Sequence, residues 1–315
     1  MFSKINPLIP CYHIVSDEKL PHVRFLYDYK NVNQFMRDID WLASHFNPIS
    51  MNDLLEHLRH GKKIGKRSII ITFDDGYRET YSVIAPILYR KGLPAIFFIC
   101  SDLIDNKKLY YRNKASLLVE FIIRNEHIVQ EIRSSLGHLQ NLSIDQIIKY
   151  ILGIRYRGQC DLDDMAEKVG LDFSDFMKTQ QPYLTKTQIF SMIKMGFYFG
   201  GHSRDHADYK ELDLIEQIDQ TTESIDFIRN NFGLEYSLFA FPFGDKDIGL
   251  EFFKSVEGHV DLTFGTHGIL EDVVPWNAQR INFESGMFPA DKIYKRELIR
   301  KTYYRMKGSG TIKRK

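Results

Sequence analysis

Residues 68–77, SIIITFDDGY, constrain the fold more than any other stretch. The run from Ser68 to Phe73 is β-branched and aromatic, which reads as a strand. Because it is apolar throughout rather than alternating, both of its faces must be covered, as in a parallel sheet flanked by helices. It stops at two adjacent carboxylates, Asp74 and Asp75, followed by Gly76. Neighbouring side chains on extended backbone point in different directions. One acid could therefore hold a metal while the other moves a proton. Catalytic groups of α/β barrels stand at such strand ends. The same residues also suit a plain strand-to-helix turn, with Asp as cap and Gly as bend.

Periodicity along the rest of the chain places this strand in an alternating α/β pattern. A strand over 8–15 carries His13. A helix over 33–46 and a short strand at 47–50 follow, then a helix through Leu54, Leu55 and Leu58, capped by Ser50 or Asn52 and closed before Gly61. Helix 79–91 continues despite Pro86, and strand 94–100 follows. Residues 105–183 break the alternation with amphipathic segments at 115–123, 128–136 and 144–152, and shorter ones at 161–169 and 173–178. The segment is too long and apolar for a loop. It is predicted to be a helical insertion packed over the rim of the sheet, where it could shape a groove. Alternation then resumes, with a capping box at Thr185 and Gln188. Strands are predicted at 197–201, 236–241, 260–264 and 279–283, and helices at 212–232, 248–256 and 289–304. The pattern predicts one domain over 1–315, with 306–315 as a loose tail.

Composition narrows the partners. The chain has 315 residues, 43% of them hydrophobic, enough to bury a sizeable core. A formal net charge of +1 gives no field that would gather nucleic acid. Cys11, Cys100 and Cys160 are too few and too scattered for a disulfide framework and suit a reducing compartment. The first fifteen residues hold one Lys and are broken by Pro7 and Pro10, a poor signal peptide, and no apolar run reaches membrane-spanning length. The expectation is a cytoplasmic protein without a membrane span; oligomeric state is not readable.

His202 and His206, in HSRDH after a predicted strand, lie four apart. On a helical turn that spacing puts both imidazoles on one side. With one carboxylate from another strand end they would make a two-His, one-carboxylate site with positions left open for water and substrate, as catalytic zinc requires. Taken alone, the pair equally suits an exposed polar turn, and Gly200 and Gly201 before it suit a loop.

In order along the chain, TFDDG, HSRDH and FPFG each end a strand. With these motifs, over 68–100 and 185–264, the sequence resembles the polysaccharide deacetylases of carbohydrate esterase family 4. The resemblance implies a distorted (β/α) barrel of the glycoside hydrolase/deacetylase type, here with a helical insertion at 105–183. It implies metal-dependent hydrolysis of N-acetyl groups from amino sugars of a polysaccharide or oligosaccharide. Asp74 would be the general base, and Asp75, His202 and His206 the ligands of a divalent ion, with zinc favoured and cobalt or nickel accepted. The backbone N–H of Phe243 would face the oxyanion. An arginine usual before the third motif is missing from 237–241, and Arg280 is its candidate replacement, though a surface or structural arginine is equally open. The late histidine that serves as acid is missing from 281–284. Cys11-Tyr12-His13 resembles the N-terminal Tyr-His strand of the biofilm-polysaccharide branch, so His13 is the expected acid, with a core histidine as the alternative and His267 as a rival. Tyr12, Tyr77, Tyr209, Phe243 and Trp276 could stack on sugar rings. Asp102, Lys107, Lys108, Arg112 and Lys114 could meet an anionic sugar, or simply form a solvated face. Two other readings stay open: hydrolysis of an O-acetyl or other amide group on a small sugar or nucleotide-sugar, and a catalytically silent carbohydrate-binding relative.

Overall fold

The apolar runs form one parallel sheet. A computed structural model describes residues 7–125, 128, 130, 131, 133, 140–284 and 288–315. Its main sheet comprises β1 (Pro10–Tyr12), β2 (Ile71–Phe73), β3 (Ala95–Ile99), β4 (Tyr198–Gly201), β5 (Leu238–Ala240), β6 (Leu262–Gly265), β7 (Asn277–Gln279) and β8 (Ile281–Asn282). Their order is β7-β6-β5-β4-β3-β2-β1-β8, and every neighbouring pair is parallel. β7 and β8 lie at opposite edges, yet only Arg280 separates them in the chain. The backbone therefore bridges the two edges. Arg280 N–H donates to the Gly265 carbonyl at 3.1 Å and Ile281 N–H to that of Ile9 at 3.0 Å. The result is the expected distorted, nearly closed (β/α) barrel.

Both faces of the strands are buried, as a continuous apolar run requires. Ile96 and Phe98 join one apolar cluster with Phe239 and Phe264, while Phe97 and Ile99 join another with Phe73 and Phe199. The rings of Phe73, Phe97 and Phe199 stack in sequence around the barrel at 5.0 and 5.5 Å. Gly200 and Gly201, which suited a loop by sequence, belong to β4. A Cβ at Gly200 would lie 2.8 Å from Leu238 and Phe98, and one at Gly201 would lie 2.6 Å from Ser224 Oγ.

The helices follow the capping signals. α1 (Val32–His45) starts at an Asn31/Gln34 capping box. α2 (Met51–His60) takes Ser50, rather than Asn52, as its cap and ends at Gly61. The predicted helix over 79–91 instead opens with a wide π turn, Thr80–Ile84, before α3 (Ala85–Arg90). Pro86 has no N–H to give and its ring crowds the preceding turn. Between β3 and β4 lie α4 (Tyr111–Arg124), α5 (Ile144–Gly153), α6 (Cys160–Val169) and α7 (Phe173–Gln180). They pack Leu118, Ile122, Ile151 and Met165 into one cluster with Tyr77 and Tyr183 at the barrel rim. Most of the segment predicted at 128–136 lies outside the described residues. α8 (Lys186–Lys194), α9 (Leu214–Phe232), α10 (Leu250–Val256) and α11 (Ala290–Met306) complete the chain. Among the described residues, no helix is long and apolar enough to cross a membrane.

Two expectations are corrected. β7 was not predicted, because Asn277-Ala278-Gln279 is not an apolar run; its polar side chains are consumed internally, Asn277 and Gln279 both donating to Asp245. The tail, expected to be loose, is also held. Thr311–Ile312 pairs with Glu271–Asp272, and Leu250 N–H donates to the Lys315 carbonyl at 2.9 Å. The Arg314 guanidinium is buried against Asp245 and Asp272, and it lies 4.5 Å from the Phe253 ring. A charge run looks solvated in sequence, but two buried carboxylates elsewhere demand a cation. Ending the chain after Gly310 should therefore lower unfolding stability by about 3–5 kcal/mol in a denaturant titration. A change under about 0.5 kcal/mol, typical of a surface substitution, would contradict this account of the tail.

Candidate active site

A parallel barrel gathers every strand's C-terminal end on one rim, so residues remote in sequence meet there. Asp74 and Asp75 follow β2. Asp74 N–H donates to the Tyr12 carbonyl at 2.9 Å, continuing the sheet, and Asp75 leaves it with φ 72°. His202 follows β4, its N–H donating to the Ile99 carbonyl at 3.1 Å. The helical turn expected for His202 and His206 is absent. Both stand on a tight loop, with Ser203 at φ 63° and His206 at φ 64°, pinned by the Ser203 hydroxyl, which accepts from His206 N–H at 2.9 Å. Of seven non-glycine residues with left-handed φ among the described residues, four surround the site: Asp75, Ser203, His206 and Phe243. Such backbone persists only where its surroundings over-determine it.

Asp75 Oδ1 lies 3.4 Å from His202 Nε2 and 3.0 Å from His206 Nε2. His202 Nδ1 is 2.7 Å from the Ala240 carbonyl, which fixes that nitrogen as the donor and leaves Nε2 a lone pair facing Asp75. Asp75 Oδ1 is buried without a hydrogen-bond donor, as is Nδ1 of His206 without a partner. Burial opposes ionisation of Asp75, but His206 and His202 outweigh it and hold the carboxyl well below its ordinary range. Burial pushes His206 down, towards the neutral form that ligates metals. Three converging donors and an orphaned carboxylate oxygen fit a divalent cation. A second trio, Cys11, His13 and Asp74, is equally close, but its donors are already committed.

Asp74 receives a two-pronged bond from Arg280: Nη1 to Oδ1 at 2.6 Å and Nη2 to Oδ2 at 2.8 Å. Arg280 is fully buried, so the candidate replacement arginine does reach Asp74. Burial raises the Asp74 carboxyl, yet Arg280 and His202 more than compensate and leave it lowered. His13 Nδ1 sits 2.6 Å from Glu284 Oε2, and its backbone N–H donates to Glu284 Oε1 at 2.7 Å. Burial would depress His13; the Glu284 carboxylate overrides it and lifts His13 to about 10. Glu284 went unassigned in the sequence, and its only signal was its place just beyond the last strand. His267 instead sits 3.6 Å from Asp245 and does not line the cleft.

His13, Asp74, Asp75, His202 and His206 line a cleft of about 440 Å³, within the ~300–1,000 Å³ usual for small-molecule sites. Tyr110 and Arg112, from the insertion, form part of its wall. The Tyr110 ring lies 4.2 Å from His206. Of the aromatics expected to meet sugar, Phe243 alone is exposed, 4.8 Å from His206, whereas Tyr12, Tyr77, Tyr209 and Trp276 are buried in the core. Lys108 pairs with Asp102 and Lys114 with Asp163, and of the four basic residues Arg112 alone lines the cleft. Replacing Arg280 with Met strands a buried carboxylate and should destabilise the protein by about 3–5 kcal/mol. Adding Asp74→Asn should recover part of that loss in the double variant; purely additive losses would contradict a direct pair.

The sequence matches the model of the family described as polysaccharide deacetylase over residues 61–155 and 162–251. It is 32% identical over 66 residues to poly-beta-1,6-N-acetyl-D-glucosamine N-deacetylase of Escherichia coli K12, a match covering 21% of this chain and only 10% of that relative. The fold is similar to Streptococcus pyogenes deacetylase PplD in complex with acetate, with a TM-score of 0.59, 13% identity, and 93% and 98% of the two chains covered. It is also similar to IcaB from Ammonifex degensii, with a TM-score of 0.55, 14% identity, and 93% and 96% covered. At such identities the structural likeness is one of fold. The family match spans more than half of the sequence and contains both TFDDG and HSRDH: the chain belongs to the polysaccharide deacetylase family, a family of carbon–nitrogen hydrolases.

Proposed function

We propose that this chain removes the N-acetyl group of an amino sugar in a polysaccharide or oligosaccharide, releasing acetate. One observation carries the reading: the Asp75–His202–His206 trio, the Arg280-bound Asp74 and the Glu284-bound His13 open onto a single cleft. The N-deacetylase name of the Escherichia coli relative and the acetate in complex with the Streptococcus pyogenes deacetylase support the choice of acyl group.

Asp75, His202 and His206 would hold a divalent ion, and zinc suits two imidazoles and a carboxylate with open positions. When bound, such an ion supplies Lewis acidity at the acyl oxygen and acidifies water. Asp74, ionised beside Arg280, takes a proton from the water that attacks the acyl carbon. The Phe243 backbone N–H is assigned to the acyl oxygen as negative charge builds there. The amine is a poor leaving group unless protonated. His13 has Nδ1 committed to Glu284, so Nε2 gives its proton to the nitrogen as the C–N bond breaks. Acetate and the free amine result.

Acetate release from N-acetylglucosamine oligomers should vanish on chelation and return with added zinc; undiminished release from metal-stripped protein would contradict the reading. A second expectation concerns alkaline pH. His13 acts in its protonated form, which persists below about 10, so turnover should fall as pH rises through that value. The groups acting on His13 are Glu284, Asp75 and Asp74, with the Tyr27 ring 5.2 Å away. Glu284→Gln removes the strongest attraction and lets burial depress His13. The alkaline limb of kcat should then move down by about one pH unit or more. An unmoved limb would remove His13 from the acid role.

A further inference from the structure

Among the described residues, the cleft carries one cation that the reaction does not use. Arg112 lies in the first turn of α4 and lines the cleft beside Tyr110, within the same enclosure as His206 and Phe243. Its Nη1 donates to the Leu152 carbonyl, which occupies one of five N–H donors. The first turn of α4 contains no acid, and among the described residues no carboxylate pairs with Arg112. Its basic neighbours differ in this respect: Lys108 and Lys114 each have a carboxylate within 2.7 Å.

The charges of the remaining groups are settled in pairs. Asp74 is neutralised by Arg280 and protonated His13 by Glu284. Of the ionised groups, Asp75 alone would face the divalent ion proposed above, which would leave one net positive charge there. Arg112 adds a second. A cleft with an excess of two positive charges and low-dielectric walls concentrates anions, and a guanidinium with free donors matches a carboxylate or phosphate in two-pronged geometry. A neutral N-acetylhexosamine would leave that charge unanswered.

We infer that the substrate is an N-acetylated amino sugar bearing an anionic group, a carboxylate or a phosphate, close to the acyl-bearing ring, and that Arg112 binds that group. The inference rests on the reading of the cleft as an N-acetyl hydrolase site and narrows its substrate class. Arg112 is a specificity-determining residue and takes no part in proton transfer.

The test compares three substrates on the zinc-loaded protein: a neutral N-acetylglucosamine oligomer, an oligomer containing a uronic acid next to the N-acetylated sugar, and a nucleoside diphosphate-linked N-acetylhexosamine. Acetate release gives kcat and KM, and calorimetry gives affinity. The wild type should favour at least one anionic compound by about tenfold or more, and the two anionic arms tell carboxylate from phosphate. Arg112→Gln should lower kcat/KM on that compound by roughly 10–100-fold, mainly through KM, and by a clearly larger factor than on the neutral oligomer. Arg112→Lys should recover part of the loss. Equal use of neutral and anionic sugars by the wild type would overturn the inference, as would an equal loss on both in Arg112→Gln. Calorimetry separates the two layers. Arg112-dependent binding of the anionic sugar without acetate release would sink the hydrolytic reading alone. Release that is indifferent to charge would sink the anion site alone.

Discussion

A single guanidinium ties the closure of the barrel to its chemistry. Arg280 stands between β7 and β8, the two segments that occupy opposite edges of the sheet. From that seam it reaches across to Asp74, 206 residues earlier in the chain. A buried ion pair of this kind is no guarantee of stability, because desolvation offsets much of the attraction. Its consequence is geometric. A carboxylate at the end of β2 can stay ionised in the interior only if a cation is held there, and the register of the closing strand is what holds it.

The adjacent acid is forced into a different role by its backbone. Asp74 stays in the sheet through its N–H, while Asp75 turns out at φ 72°. One carboxylate meets a guanidinium and the other meets two imidazoles. Environment divides labour between identical side chains. The histidine loop that completes the second environment carries its own left-handed residues and is braced from outside the barrel. Tyr110 packs on His206, and the Tyr156 hydroxyl donates to Asp205 at 3.0 Å, which also accepts from Gln220 at 3.1 Å. The insertion thus packs against the site it overhangs, and its helices bury Leu118, Ile151 and Met165 in one apolar cluster.

Much of this was legible in the sequence, and the gaps have physical causes. The capping box at Thr185 marked the start of a helix that the structure contains. Continuous apolar runs marked strands covered on both faces. The acid pair and the histidine pair were legible because each sits beside its own strand. Pairings between distant charges left no local trace. Glu284 with His13 and Arg314 with Asp245 join residues whose neighbours say nothing of one another, and Arg280 came into view only through what the family resemblance implied. β7 escaped notice because its side chains answer buried polar groups rather than apolar ones. The aromatics expected to meet sugar failed for the opposite reason: in a chain with 13% aromatic residues, most rings fill the core, and of the five singled out Phe243 alone is exposed.

The central claim is that two neighbouring carboxylates do separate work, Asp75 binding a cation and Asp74 carrying a proton. Equilibrium zinc binding and acetate release, measured side by side on Asp74→Asn and Asp75→Asn, test it most directly. Asp74→Asn should keep one zinc per chain at near wild-type affinity and lose turnover, whereas Asp75→Asn should lose both. Zinc binding that survives in Asp75→Asn, or turnover that survives in Asp74→Asn, would contradict it.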